Sequence, residues 1–345
     1  MVSLVVQVAV FAASVLGLAL GARGLVDATV SLARRLGVSN VVVGLTVVAA
    51  GTSMPEIVVT ADAAVVGLGD VAVGNVAGSS IFNLAIVLGV LATIRAVPVR
   101  RAFVRRDGVV LLAATGLFAA VVLDRVVTRV EGAILLVAFV AYTTYLLRGA
   151  RAGTAAASTE SRPAAAEGRS ASTDGSSTST ADDPPVPVRV ADPVGFGVRD
   201  AALLVGALAV VLVSGHFLVE SAVAIAGVYG LSDALVGGTI VAAGTSAPEF
   251  AVSLVALARG RTGVSVGNVV GSNVFNVLAV AGVGALARPM TVTPAVVETV
   301  TWLVALVAVV VALMWSGRQV SRGEGVLFSL SEGVRWVLGI LGVVG

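Results

Sequence analysis

Residues 24–96 lie over residues 217–289 without a gap, at one offset that carries Glu56 onto Glu249 and Asn83 onto Asn276. A chain duplicated in this way has to fold as two related halves, so any structure assigned to one half must also serve the other. The same register lays residues 7–22 over residues 200–215, where AALLVGALAVVLVSG stands in mid-chain. A segment in mid-chain is no removable leader, and residues 1–22 lack the basic start of a signal peptide. Both are expected to be retained.

What the halves are made of follows from composition. Residues of the AVILMFWYC set fill 57% of 345 positions and DEKR only 12%, a balance suited to a bilayer. Hydropathy resolves five stretches per half long enough to cross about 30 Å of hydrocarbon. They run near 2–24, 38–66, 71–94, 107–124 and 130–147, then near 199–226, 231–258, 264–287, 292–314 and 325–344. The expected fold is an all-α integral membrane protein with ten transmembrane helices, divided into a repeat at 1–148 and a second at 198–345. An odd number of spans per repeat inverts the second half relative to the first. Glu332 and Arg335 interrupt the last span one helical turn apart and read as a structural pair.

Residues 149–197, which include STDGSSTSTADDPP, carry too few large apolar side chains for a core and read as a disordered cytoplasmic linker. The scattered Asp182, Asp183 and Asp192 do not make a calcium-sensing cluster there. Arginines such as Arg34, Arg35, Arg100, Arg101, Arg105, Arg106, Arg148, Arg259 and Arg318 gather in one alternate set of loops, against Arg125, Arg129 and Arg288 in the other. Basic loops stay in the cytoplasm, which places both termini outside a plasma membrane. A net charge of +2 with no basic stripe argues against a nucleic-acid partner. The absence of cysteine excludes disulfides and thiolate sites, and no Ser/His/Asp or His-rich set suggests an enzyme.

Two copies of one motif, AAGTSMPE at 49–56 and AAGTSAPE at 242–249, interrupt apolar spans. Pro55 and Pro248 lack an N–H, so the carbonyls of Gly51 and Gly244 lose their helical donors and become available as ligands. A carboxylate follows each break, Glu56 or Glu249, at a depth where an unpaired charge costs several kcal/mol, about 3 or more. The chain contains no lysine, and no arginine falls at matching depth in the neighbouring spans. A metal cation or a proton is the expected partner. One such glutamate could be a protonated residue bridging helices; two in register, each behind Gly-Thr-Ser and a proline, point to a site. Carboxylate, hydroxyl and carbonyl oxygens suit a hard cation, calcium rather than zinc or copper, and the lone His216 offers no transition-metal site.

The second motif pair is GNVAGSSIFN at 74–83 and GNVVGSNVFN at 267–276. Ser79 with Asn83, and Ser272 with Asn276, stand four residues apart and share a helix face. Gly74, Gly78, Gly267 and Gly271 form GxxxG patterns that permit close helix approach.

At these residues the chain resembles the alpha repeats of the calcium/cation antiporter superfamily and, within it, the sodium/calcium exchangers. The resemblance implies a monomeric inverted-repeat bundle in which spans 2, 3, 7 and 8 surround four cation positions, with no cofactor beyond the transported calcium and sodium. It makes Glu56 and Glu249 the central calcium ligands, joined by backbone oxygens of Thr52 and Thr245. Ala49, Ser53 and Ser79, with Ala242, Ser246 and Ser272, would complete flanking sodium positions; Asn83 and Asn276 would line the middle one. Potassium-dependent relatives place an aspartate where Asn276 stands, and proton-coupled ones carry Gly-Asn in place of Thr-Ser, so the resemblance implies potassium-independent sodium/calcium exchange. A cation/proton exchanger is the alternative, and a passive channel a more distant one. The family's moving first and sixth spans correspond here to those carrying Asp27 and Glu220, which read as helix-end or gating-surface residues. Asp62 reads as a buried packing residue or a site-entrance residue.

Overall fold

The computed structural model describes residues 4–160, 197–228, 242–317 and 319–340. Most of them are helical, the form in which backbone in hydrocarbon closes its own hydrogen bonds. The first half holds α1 (Leu4–Leu36), α2 (Asn40–Thr52), α3 (Met54–Val66), α4 (Gly69–Ile94), β1 (Val97–Pro98), α5 (Val109–Val122), β2 (Val126–Val127) and α6 (Arg129–Glu160). The second half holds α7 (Val198–Val228), α8 (Ala242–Thr245), α9 (Ala247–Ala258), α10 (Thr262–Ala287), β3 (Met290–Thr291), α11 (Pro294–Gly317), β4 (Gln319–Val320) and α12 (Arg322–Ile340). Among the described residues, 6 helices are each long and apolar enough to cross a membrane, and the pair α2 and α3, bent by 47° at its break, is long and apolar enough only when the two are taken together. The chain is a helical, multi-pass membrane protein.

Several boundaries differ from the hydropathy reading. α1 continues to Leu36 rather than ending near residue 24, and Arg34 and Arg35 in its last turn suit the negative end of the helix dipole. α6 runs through Glu160, into the stretch that composition assigns to the linker. Residues 161–196, with Asp182, Asp183 and Asp192, lie outside the described residues, as do the start of the span near 231–258 and the end of the one near 325–344.

Burial ranks the helices. In the most apolar windows of α4 and α10, 72% and 89% of residues are buried, against 17% in α1 and 11% in α7. The two helices that carry the GN…GS motifs therefore form the centre, and α1 and α7 lie together at its edge. These two run antiparallel, with Gly17 against Ser214, Gly21 against Val211 and Gly24 against Ala207, so small residues let them approach closely. With α9 they share an apolar cluster that includes Leu18, Leu25, Val26, Val211 and Val252, separate from the main core.

Two short ribbons join the halves. β1 pairs antiparallel with β4 (Val97 opposite Val320), and β2 with β3 (Val127 opposite Met290). The repeat offset that carries Glu56 onto Glu249 also carries Val97 onto Met290 and Val126 onto Gln319, so each ribbon is the image of the other.

Buried charges outside the motifs are paired. The Arg335 guanidinium donates through Nη2 to Glu332 Oε1 at 2.6 Å and through Nε to Oε2 at 2.9 Å, the expected one-turn pair. Asp107, fully buried, accepts from Arg106 Nε and Nη2 at 2.9 Å each and from the Tyr142 hydroxyl at 3.1 Å.

The GxxxG reading holds for α10. A Cβ built on Gly267 would stand 2.7 Å from the Val41 carbonyl oxygen, and one on Gly271 2.7 Å from Leu45 Cα, so α2 and α10 touch backbone to backbone. The segment in register to face Gly74 and Gly78 lies outside the described residues. Overpacking of this kind costs about 1–3 kcal/mol, so Gly271→Val should lower the melting temperature of the detergent-purified protein by several degrees. Gly116→Ala, with nothing within 4 Å of its added methyl among the described residues, should leave it unchanged.

Candidate functional site

The site begins where two helices stop. α2 ends at Thr52, Ser53 leaves the helix at φ −85° and ψ 16°, and α3 restarts with Pro55 in its first turn. Ser246 stands between α8 and α9 at φ −90° and ψ 8°, with Pro248 following. A serine before a helix ordinarily turns its hydroxyl onto that helix's free N–H groups. Neither of these does so. Ser53 Oγ donates instead to Glu249 Oε1 at 2.8 Å, and Ser246 Oγ donates to Glu56 Oε1 at 3.3 Å. The break in each half thus holds the carboxylate of the other.

Both carboxylates are fully buried. Among the described residues no arginine pairs with either, and no group of three or more His, Cys, Asp or Glu could hold a metal ion. Any ligand cage must therefore combine two carboxylates with neutral oxygens. Those oxygens are present. Glu56 Oε2, Glu249 Oε2, Ser79 Oγ, Ser272 Oγ, Asn83 Oδ1 and Asn276 Oδ1 are all buried without a hydrogen-bond partner. Buried polar atoms are normally paired, and one left unpaired costs about 1–3 kcal/mol. Unsatisfied oxygens that recur at register-related positions in both halves fit a hard, oxygen-ligated cation.

The remaining expected residues take these places. Thr52 is fully buried; its hydroxyl lies 3.1 Å from the Val48 carbonyl and 3.2 Å from Asn268 Oδ1. Thr245 is buried, and Ala49 packs at 2.8 Å from where a Gly271 Cβ would lie. Ala242 opens α8, and nothing of its side chain is described. Asn83 and Asn276 each fall in a turn of π-helix, Phe82–Val87 and Phe275–Val280, a widening of the backbone that marks functional sites and that no pattern of apolar residues announces.

Three other acidic residues lie elsewhere. Asp27 is exposed and pairs with Arg259 Nη1 at 2.5 Å; Glu220 is exposed beside His216 at 3.9 Å. Asp62 is exposed on α3, which corrects the first of the two roles expected for it, buried packing, and leaves the site-entrance role: its position on the helix turns away from the core.

Sequence reasoning passed over Asn75 and Asn268. Asn75 Nδ2 donates to Thr60 Oγ1 at 2.9 Å and to the Glu56 carbonyl at 3.3 Å; Asn268 Nδ2 donates to Ser253 Oγ at 2.9 Å and to the Glu249 carbonyl at 3.3 Å. The available signal was their place in both copies of the motif, one turn before Ser79 and Ser272.

With this geometry in hand, comparison with known proteins is informative. The sequence profile of the sodium/calcium exchanger protein family matches residues 6–148 and 200–331. The chain belongs to that family. It is 33% identical over 305 residues to the putative antiporter CaxA of Alkalimonas amylolytica, across 87% of this chain and 88% of the relative. It is 29% identical over 324 residues to the sodium/calcium exchanger MaX1 of Methanosarcina acetivorans, across 87% and 89%. Among solved structures it superposes on the sodium-calcium exchanger NCX_Mj with a TM-score of 0.76 and 27% identity, over 99% of this chain and 100% of that one. Membership supports cation and calcium antiport, a transport activity rather than catalysis.

Ser53→Ala removes the hydroxyl that holds Glu249. A hydrogen bond to a charged group contributes about 1.5–3 kcal/mol to stability, and this one is formed without a cation, so the melting temperature should fall by several degrees, and a carboxylate no longer held in place should weaken cation binding severalfold, as read by cation titration of reconstituted protein.

Proposed function

We propose that this protein exchanges sodium for calcium across the plasma membrane by alternating access, in a ten-span, inverted-repeat, monomeric bundle with both termini outside. The observation that carries the reading is the crossed pair of serine–glutamate contacts, surrounded by buried oxygens without a hydrogen-bond partner among the described residues. Glu56 and Glu249 are the central calcium ligands, with Thr52 and Thr245 contributing backbone oxygens. Ser53, Ser79, Ala49 and their counterparts Ser246, Ser272 and Ala242 serve sodium, and Asn83 and Asn276 line the middle. The names of MaX1 and NCX_Mj as sodium/calcium exchangers support the choice of ions.

The charge of the site explains coupling. Two carboxylates enclosed together, with no basic partner among the described residues, are costly in a low-dielectric interior, so the empty site resists occlusion. A calcium ion, or sodium ions in its place, neutralises them and permits the switch. Because both ions use the same oxygens, the protein returns only when the second ion has replaced the first. That rule yields exchange rather than leak. Cation/proton exchange is the second reading, since Glu56 Oε2 has no hydrogen-bond partner among the described residues and a proton could sit there. Asn276, uncharged, supports potassium independence.

The test uses proteoliposomes loaded with sodium and diluted into sodium-free medium. Radioactive calcium should enter at a rate that collapses when the sodium gradient is removed. Entry driven equally well by a proton gradient, with sodium absent, would establish the second reading instead. Glu249→Gln, isosteric and uncharged, should abolish uptake while the protein still elutes as a folded species; full activity in that variant would refute the ligand assignment.

A further inference from the structure

We propose that Asn75 and Asn268 are positioning residues that set where the two central carboxylates stand, and that Asn268 ties this setting across the halves through Thr52. The inference rests on the site just proposed.

Each helix that starts at a break is short of anchors. The first turn of a helix leaves N–H groups without intrahelical partners, and the serine that would cap α3 or α9 has its hydroxyl on the opposite glutamate. Glu56 and Glu249 lie in those first turns. Something else must hold the turn in place, because a carboxylate that shares ligands with a second carboxylate has to be positioned within a fraction of an ångström.

The two asparagines supply that hold. Each amide nitrogen spans one helical turn, from the glutamate's main-chain carbonyl to the hydroxyl four residues on: Glu56 to Thr60 for Asn75, and Glu249 to Ser253 for Asn268. Both donor hydrogens of the nitrogen have a place in this bracket. Asn268 Oδ1 in turn lies 3.2 Å from the Thr52 hydroxyl, so one amide binds α9, α10 and the end of α2 together.

The contrast with the neighbouring asparagines separates anchor from ligand. Asn75, Ser79 and Asn83 follow one another at four-residue intervals, as do Asn268, Ser272 and Asn276. In each row the last two side chains are buried and have no hydrogen-bond partner among the described residues, whereas the first is bonded within the protein. Each helix face thus carries one anchor and then two candidate ligands.

The experiment compares Asn75→Leu, Asn268→Leu and the milder Ser253→Ala in full-length protein, reconstituted for calcium uptake and, separately, held in detergent for calcium and sodium titrations read by melting temperature. Leucine keeps the γ-branching and heavy-atom count of asparagine, is somewhat larger, and removes the amide. A displaced carboxylate raises the KM for calcium about tenfold in the leucine variants and severalfold in Ser253→Ala, with the maximal rate per folded molecule within about twofold. The same shifts appear as weaker ion-dependent stabilisation, which needs no transport. A fall in maximal rate with KM and ion titrations unchanged would mean a purely structural role and overturns the proposal. If the leucine variants do not fold, Ser253→Ala alone decides it, by its KM and titration. Wild-type protein that neither transports nor is stabilised by either ion overturns the proposed function along with this inference; wild type that responds while all variants match it overturns the positioning alone.

Discussion

Two carboxylates enclosed in a membrane-spanning bundle, with no basic partner among the described residues, govern much of the rest of the molecule. Such groups are tolerated when their charge is met from outside the protein, and when their neighbours are arranged to receive what meets it. The crossed hydrogen bonds, Ser53 to Glu249 and Ser246 to Glu56, answer the second demand. They also make the two halves interdependent, because neither carboxylate is held wholly by its own repeat. The helix breaks, the small residues of α10 and the central burial of α4 and α10 follow as the means of bringing four pieces of chain that close together.

How the breaks arise is local chemistry. Proline within the first turn of α3 or α9 tolerates the loss of its N–H there, while the serine before it adopts a conformation between helix and strand. The conformation turns each hydroxyl away from its own helix and leaves the following turn in need of a different anchor. The asparagine amides on α4 and α10 stand where that anchor is required.

Much of this was legible in the sequence, and the limits are physical. Long apolar stretches and one constant offset revealed spans, breaks and the paired glutamates, because burial in hydrocarbon and duplication leave marks in composition and register. Helix ends were less legible: nothing apolar marks where α1 or α6 stops once the helix runs past its apolar stretch. The π-turns around Asn83 and Asn276 were invisible, since they come from packing rather than from any residue's preference. Of the two roles expected for Asp62, burial fails because acidic character in an apolar span says nothing about which way its helix faces. Asn75 and Asn268 were in plain view inside the motifs, yet spacing alone cannot tell an amide that binds a cation from one that fastens a backbone. Hydrogen-bond satisfaction can.

The two ribbons have a bearing on why such a chain is doubled at all. β1 and β2 belong to one half, and their partners β4 and β3 to the other. A half by itself owns an unpaired strand from each ribbon, a serine with no carboxylate to hold and a carboxylate with no serine. It is a key cut to fit its own copy, with open edges that only a second such unit closes. Joining two copies in one polypeptide removes the search for that second unit and lets each copy drift separately, so that an exposed arginine at position 259 can face Asp27 while the equivalent position 66 holds a valine.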